Sequence, residues 1–208
     1  MNNYSYAANC SNIVVNPKIS IKSSYGKLTY NNQKSTAEIT TLAKKFNLVE
    51  NDFFASGLST VNFSFDITIS SLGNPVGNSE FCVTPTDVTI FLALESPVIY
   101  LSNELKKNTC EYNLVLRHEQ THQQINKKTL EYYLPYFADA ATKIIKNIRP
   151  IYIRDINKIE AATALMTKHY NQKLTPLVDF IKKETLKEQQ KLDNGENYNY
   201  ESTICQQN

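Results

Sequence analysis

Two of the three histidines in the chain stand four residues apart, in Arg117-His118-Glu119-Gln120-Thr121-His122-Gln123. On a helix that spacing puts both imidazoles on one face, one turn apart, within reach of a single divalent ion. The intervening Glu119 projects beside them. A carboxylate in that position can take a proton from a metal-activated water and pass it to a leaving amine. Zn2+ is the expected ion, because imidazole nitrogen suits it and it brings the pKa of bound water close to 7. Leu114, His118, His122 and Ile125 recur at spacings of four, four and three, so the histidines face inward. A histidine pair aimed at a core needs a partner: a metal or, in the plainer alternative, hydrogen bonds within a packed interior.

A catalytic zinc takes three protein ligands and keeps one position open. The segment from Gln123 to Thr129 contains neither His nor Gly, which excludes the extended metzincin motif. Glu131 falls off the site face if the helix continues, and His169, in Lys168-His169-Tyr170, reads as a surface residue or helix cap. The third ligand must come from another part of the chain.

The elements that position this motif read as an α+β fold: a first half mostly of antiparallel strands with one helix, and a helical second half carrying the HExxH helix. The 208 residues suit a single domain, with a strand-rich half over about 1–104, a helical half over about 105–193 and a tail over 194–208. Ser35 and Glu38 form a capping box for a helix to Phe46. Val61, Phe63, Phe65, Ile67 and Ile69 alternate along a half-buried strand, and residues 71–78 carry the strongest loop signal. Val88–Leu94 and Val98–Leu101, split by Ser96-Pro97, read as strands at or near a sheet edge. Beyond Cys110 the periodicity is helical, with segments to about Tyr133, on to about Ile148 from Pro135, from Ile151 to Asn171, and from Thr175 to Leu192; the tail reads as coil.

Composition excludes several classes. Hydrophobic residues make up 41% and charged residues 20%, with a formal net charge of +2, so the chain has neither a disordered character nor a general field for nucleic acid. Lys143, Lys146 and Arg149 give one helix a basic end, which suits the helix dipole. No run of 18 apolar residues is present, so no membrane-spanning segment is expected. The first ten residues lack the basic and apolar regions of a signal peptide. That leaves a cytosolic chain or a mature secreted one. Four cysteines, Cys10, Cys82, Cys110 and Cys205, allow three pairings or four buried thiols. The nested pairing Cys82–Cys110 plus Cys10–Cys205 is expected, because it staples a local loop and ties the two ends.

The order Phe81-Cys82-Val83, Val88-Thr89-Ile90, Pro97-Val98-Ile99-Tyr100, Thr109-Cys110-Glu111-Tyr112, Leu116–His122 and Ile125-Asn126 resembles a family of uncharacterised bacterial secreted proteins regarded as Zn-dependent proteases. Leu192–Tyr198 followed by Cys205 resembles the family's ending. The likeness covers about Phe81–Cys205 and implies export to the periplasm or beyond, oxidised cysteines and a zinc site. It favours Asp193, in the matching ending, as third ligand. Glu160 is the alternative, because Lys158-Ile159-Glu160-Ala161-Ala162 is similar to the context of the glutamate ligand in gluzincins. Tyr198 and Arg117 are candidates for stabilising an oxyanion.

Two functions compete. One is a zinc metallohydrolase, a secreted or periplasmic metalloprotease acting on peptide or peptidoglycan-like amide bonds, with Glu119 as base and His118 and His122 as ligands. The other is a non-catalytic zinc- and disulfide-stabilised secreted binding domain.

Overall fold

Every other strand of the sheet pairs with one long strand. In a computed structural model, which describes residues 10–46 and 54–205 apart from the side chains of Tyr198 and Ser202, this is β4, Glu80–Leu101. Its partners are β1 (Lys18–Tyr25), β2 (Thr29–Asn31), β3 (Gly57–Gly77) and β5 (Ile151–Ile153). β2 runs parallel to it, Tyr30 opposite Ile99, and β5 antiparallel, Cys82 opposite Tyr152. The expected break at Ser96-Pro97 is therefore absent, and the segment is the hub of the sheet rather than an edge. The break signal has a local meaning. Inward residues run Val88, Ile90, Leu92, Leu94, then Ile99 and Leu101, so the alternation slips by one residue at Glu95-Ser96, as at a β-bulge. Ser96 takes φ 48° there. Gly26 donates its N–H to the Leu94 carbonyl at 2.7 Å, and a Cβ on it would lie 2.7 Å from Pro97 Cδ, so no larger residue fits.

The loop signal over residues 71–78 reduces to a turn. β3 continues through Gly77, and β4 begins at Glu80. Asn74 spans the two strands, donating to the Cys82 carbonyl at 3.2 Å and Thr84 Oγ1 at 2.7 Å.

Helix α1, Thr36–Lys45, carries the expected capping box: Ser35 Oγ accepts from the Glu38 N–H at 3.2 Å, and Glu38 accepts from the Ser35 N–H at 2.8 Å. Two proline breaks expected from the sequence do not occur. Helix α2 runs unbroken over Cys110–Lys146 through Pro135, and α3 over Ile159–Leu192 through Pro176. A proline inside a helix costs about 3 kcal/mol. Leu130, Phe137 and Ala141 flank the first and Leu174, Val178 and Ile181 the second, all buried. Burial of each large apolar side chain contributes about 1.5–3 kcal/mol, so packing outweighs the lost bond. Ile151–Ile153, expected to open a helix, is instead the wholly buried β5. The tail expected as coil forms α4, Gly195–Ile204, because the Asn194 side chain accepts from the Asn197 N–H at 2.8 Å and caps it.

Contacts group the chain into two compact units. The first comprises Met1–Ser23, Ser64–Leu92 and Tyr133–Phe180, and the second Ser24–Phe63, Ala93–Tyr132 and Ile181–Asn208. Val83, Ile90, Met166 and Leu174 are fully buried in the first. In the second, Ile39, Ala43, Ala55 and Leu58 pack with Leu42 and Tyr100.

The disulfides correct the nested pairing. Cys10 bonds to Cys82 within the first unit and Cys110 to Cys205 within the second. A Cys82–Cys110 staple requires a compact loop between the two residues. An extended strand follows Cys82 instead, and at about 3.3 Å per residue it carries the chain steadily away.

Candidate metal centre

All the side chains of this centre belong to the second unit. The motif lies in the first turns of α2. Thr109 Oγ1 starts that helix by accepting from the Tyr112 N–H at 3.3 Å, and Glu111 favours the first turn electrostatically. The inward stripe read from the sequence leaves His118 7% exposed and His122 half-buried.

Asp193 follows the last residue of α3 and precedes the cap of α4. Its Oδ1 lies 3.2 Å from His118 Nε2 and 3.0 Å from His122 Nε2, and the two Nε2 atoms are 3.1 Å apart. These three atoms form a nearly equilateral triangle, a group that could hold a metal ion. Glu160 is not part of it. That residue is exposed in the first turn of α3, in the first unit, beside a shallow hollow with Asp66, Thr163 and Lys168. An acidic side chain there suits the positive end of the helix. His169 lies along α3 in the first unit, and burial, followed by Lys173, holds its pKa below the ordinary imidazole value.

The donor set fits a cation, and the reason is in the outer ring of partners. His118 Nδ1 lies 3.1 Å from Glu201 Oε2, and His122 Nδ1 meets Gln189 Oε1. The orientation of Gln189 is fixed by its amide nitrogen, which donates to the His122 carbonyl at 3.1 Å and to Asn126 Oδ1 at 2.9 Å. Both Nδ1 atoms thus face acceptors, and in the neutral tautomer that donates from Nδ1 each Nε2 presents a lone pair. Two imidazole lone pairs and one carboxylate lone pair then converge. A proton on one nitrogen relieves part of that repulsion, whereas a divalent cation held by all three atoms would satisfy them together.

The carboxylates also set the protonation of the rings. Burial opposes charge on His118 and His122, but Asp193 foremost, with Glu119 and other partners, holds both above the ordinary imidazole value. Glu119 is 7% exposed. Burial pushes its carboxyl up to about 7, although His122 and His118 pull it down. It packs against Gly57 at the start of β3, where an added Cβ would meet Glu119 Oε1 at 2.7 Å.

The centre opens into a cleft of about 960 Å³. Leu58, Phe63, Val98, Leu114 and Leu186 supply apolar wall, with Lys182 beside them. The Lys182 ammonium lies 5.5 Å from the Phe63 ring centroid. Arg117 is exposed on α2, and the Tyr198 side chain lies outside the described residues.

Gln189, Glu201 and Gly57 carry no motif that marks them in the sequence. One signal for Glu201 was present: Asp193, Asn197, Glu201 and Cys205 recur every four residues, as one helical face would. Comparison with protein-family models, with curated proteins and with solved structures finds no match to this chain.

Proposed function

We propose that this chain is a zinc-dependent metallohydrolase, a peptidase acting on amide bonds of peptide or peptidoglycan-like substrates. The observation that carries the reading is the convergence of three lone-pair donors, His118, His122 and Asp193, beside a buried carboxylate at the wall of an open cleft. Zinc held there would supply Lewis acidity toward a carbonyl oxygen and toward water. The chain's own residues do the rest. Glu119 takes a proton from the attacking water as the carbon–oxygen bond forms, and returns it to the amine nitrogen as the carbon–nitrogen bond breaks. Burial of Glu119 favours that role, because a carboxylate withdrawn from bulk water is a stronger base. Glu201 and Gln189 hold the two rings so that their lone pairs stay aimed inward. The apolar walls exclude water and accept substrate side chains.

Two disulfides fit an oxidising compartment, the periplasm or beyond, as the resemblance to secreted Zn-dependent proteases implies. Among the described residues, no helix is long and apolar enough to cross a membrane.

The test is metal stoichiometry on protein purified without a metal-affinity tag, followed by a peptide-library digest. The expected result is one zinc per chain in both the parent and Glu119→Gln, with cleavage falling about 10²–10⁴-fold in the variant. Zinc bound equally, with no cleavage by either protein, would instead favour a zinc-stabilised binding domain. No metal in the parent at neutral pH with zinc offered would leave a packed histidine pair and sink the proposal.

A further inference from the structure

We infer that Glu201 is a positioning residue for the metal centre, and that the Cys110–Cys205 disulfide is the strap that keeps it in place, so that reducing this one bond weakens metal binding. The inference rests on the metal reading given above and concerns side chains that touch no substrate.

The geometry forms a closed circuit. Cys110 is the first residue of α2, and His118 follows two turns later on the same helix. Cys205 caps the end of α4, and Glu201 stands one turn before it. The disulfide joins the two helices, and the contact from Glu201 Oε2 to His118 Nδ1, at 3.1 Å, closes the ring. Asp193 enters from the other end of α4, where Asn197 Nδ2 donates to the carbonyls of Lys191 at 3.2 Å and Leu192 at 3.0 Å.

No α4 residue with a described side chain is buried, and Tyr200 is 68% exposed. A helix of ten residues is marginal in water without packing. The covalent link therefore helps to fix the register of α4 at the Glu201 end, and with it the reach of Glu201. Without that reach the His118 ring loses the acceptor facing its Nδ1, and the aim of its Nε2 lone pair is held less firmly.

The two disulfides differ in access. Cys10 and Cys82 are 4% and 0% exposed, whereas Cys110 is exposed. A trialkylphosphine attacks one sulfur, the S–S bond breaks, water supplies the oxygen of the phosphine oxide, and both sulfurs leave as thiols. That reaction reaches the accessible bond first.

The experiment measures zinc affinity on the full chain by competition with a chromophoric chelator. Glu201→Ala should weaken zinc about 10–100-fold, the usual cost of losing an outer partner of a ligand histidine. Glu201→Gln, whose amide oxygen still accepts from Nδ1, should recover most of that loss, which a merely structural role would not produce. The pair Cys110→Ser/Cys205→Ser should weaken zinc to a similar extent, and adding Glu201→Ala to it should cost little more. A second measurement covers a cysteine variant that fails to fold: the parent is treated with a mild phosphine and the freed thiols are alkylated and identified by mass spectrometry. Labelling of Cys110 and Cys205 should track the fall in zinc affinity. Glu201→Ala within twofold of the parent overturns the inference, as does reduction at Cys110–Cys205 with affinity unchanged. In either case zinc binding by the parent leaves the hydrolase reading standing. A parent that binds no zinc takes both down.

Discussion

Replacing Gly57 by alanine adds one methyl group where β3 passes the motif helix. That Cβ would sit 2.6 Å from Val115 Cγ1, 2.7 Å from Glu119 Oε1 and 2.8 Å from Glu119 Cγ. Ordinary contact begins near 3.4 Å, so the Glu119 carboxyl must retreat by about 0.7 Å or the strand must move. In the base role proposed for Glu119, misplacement by about 1 Å costs on the order of 10²-fold in rate, so kcat/KM should fall roughly 10- to 100-fold. Overpacking costs about 1–3 kcal/mol, which for a chain of this size lowers Tm by roughly 2–12 °C. The three atoms nearest the new methyl belong to Val115 and Glu119 and not to the zinc donors, so zinc should bind within about twofold of the parent. The assay is kcat/KM on the best peptide from the library, with zinc affinity and Tm beside it. A double-mutant cycle isolates the cause: on a Glu119→Gln background, Gly57→Ala should lower the residual rate no further. An equal loss on both backgrounds, or a parallel loss of zinc, would refute the idea that Gly57 acts by making room for Glu119.

Asp193→Asn should reduce zinc affinity by more than the ~10–100-fold typical of an outer partner, while Glu160→Ala leaves it unchanged; chelator competition on the two variants decides between the carboxylates. The pair Cys10→Ser/Cys82→Ser releases a bond spanning 72 residues and should cost about 4 kcal/mol in denaturant unfolding, with zinc affinity within about twofold because neither cysteine belongs to the unit that holds the centre. Leu92→Ala, at a fully buried position on β4, should cost about 2–5 kcal/mol by the same measurement.

The parts of this molecule legible in the sequence are those governed by short-range rules. The motif pair follows from a spacing of four on a helix, and the capping box at Ser35 and Glu38 from two side chains three residues apart. Asp193 was reached through a resemblance rather than through spacing, and its closeness to the histidines depends on how α2 and α3 pack. The errors share a cause: local signals that packing overrode. Pro135 and Pro176 do disfavour a helix, yet buried neighbours on both sides carry α2 and α3 through them. Ser96-Pro97 does interrupt an alternation, and β4 absorbs the interruption as a one-residue slip. The disulfide pairing depends on which segments share a unit, which no count of residues between cysteines reveals. Gln189 was invisible for a similar reason: a polar residue near the end of a long helix looks solvated until Asn126 and His122 are known to face it. Those contacts also give Asn126 of the Ile125-Asn126 pair a role, since it fixes the amide that orients His122.

The separation of the donors along the chain has a consequence for biosynthesis. His118 is made 75 residues before Asp193 and 83 before Glu201, and the bond from Cys110 spans 95 residues. At about 5–20 residues per second, a ribosome takes roughly 4–15 s to travel from the histidines to Asp193. During that interval the nascent chain presents two imidazoles without their carboxylate and a thiol without its partner. The hydrolytic centre proposed above would therefore be silent throughout synthesis of the motif helix, and would be assembled only once the α3–α4 junction had emerged and found an oxidant.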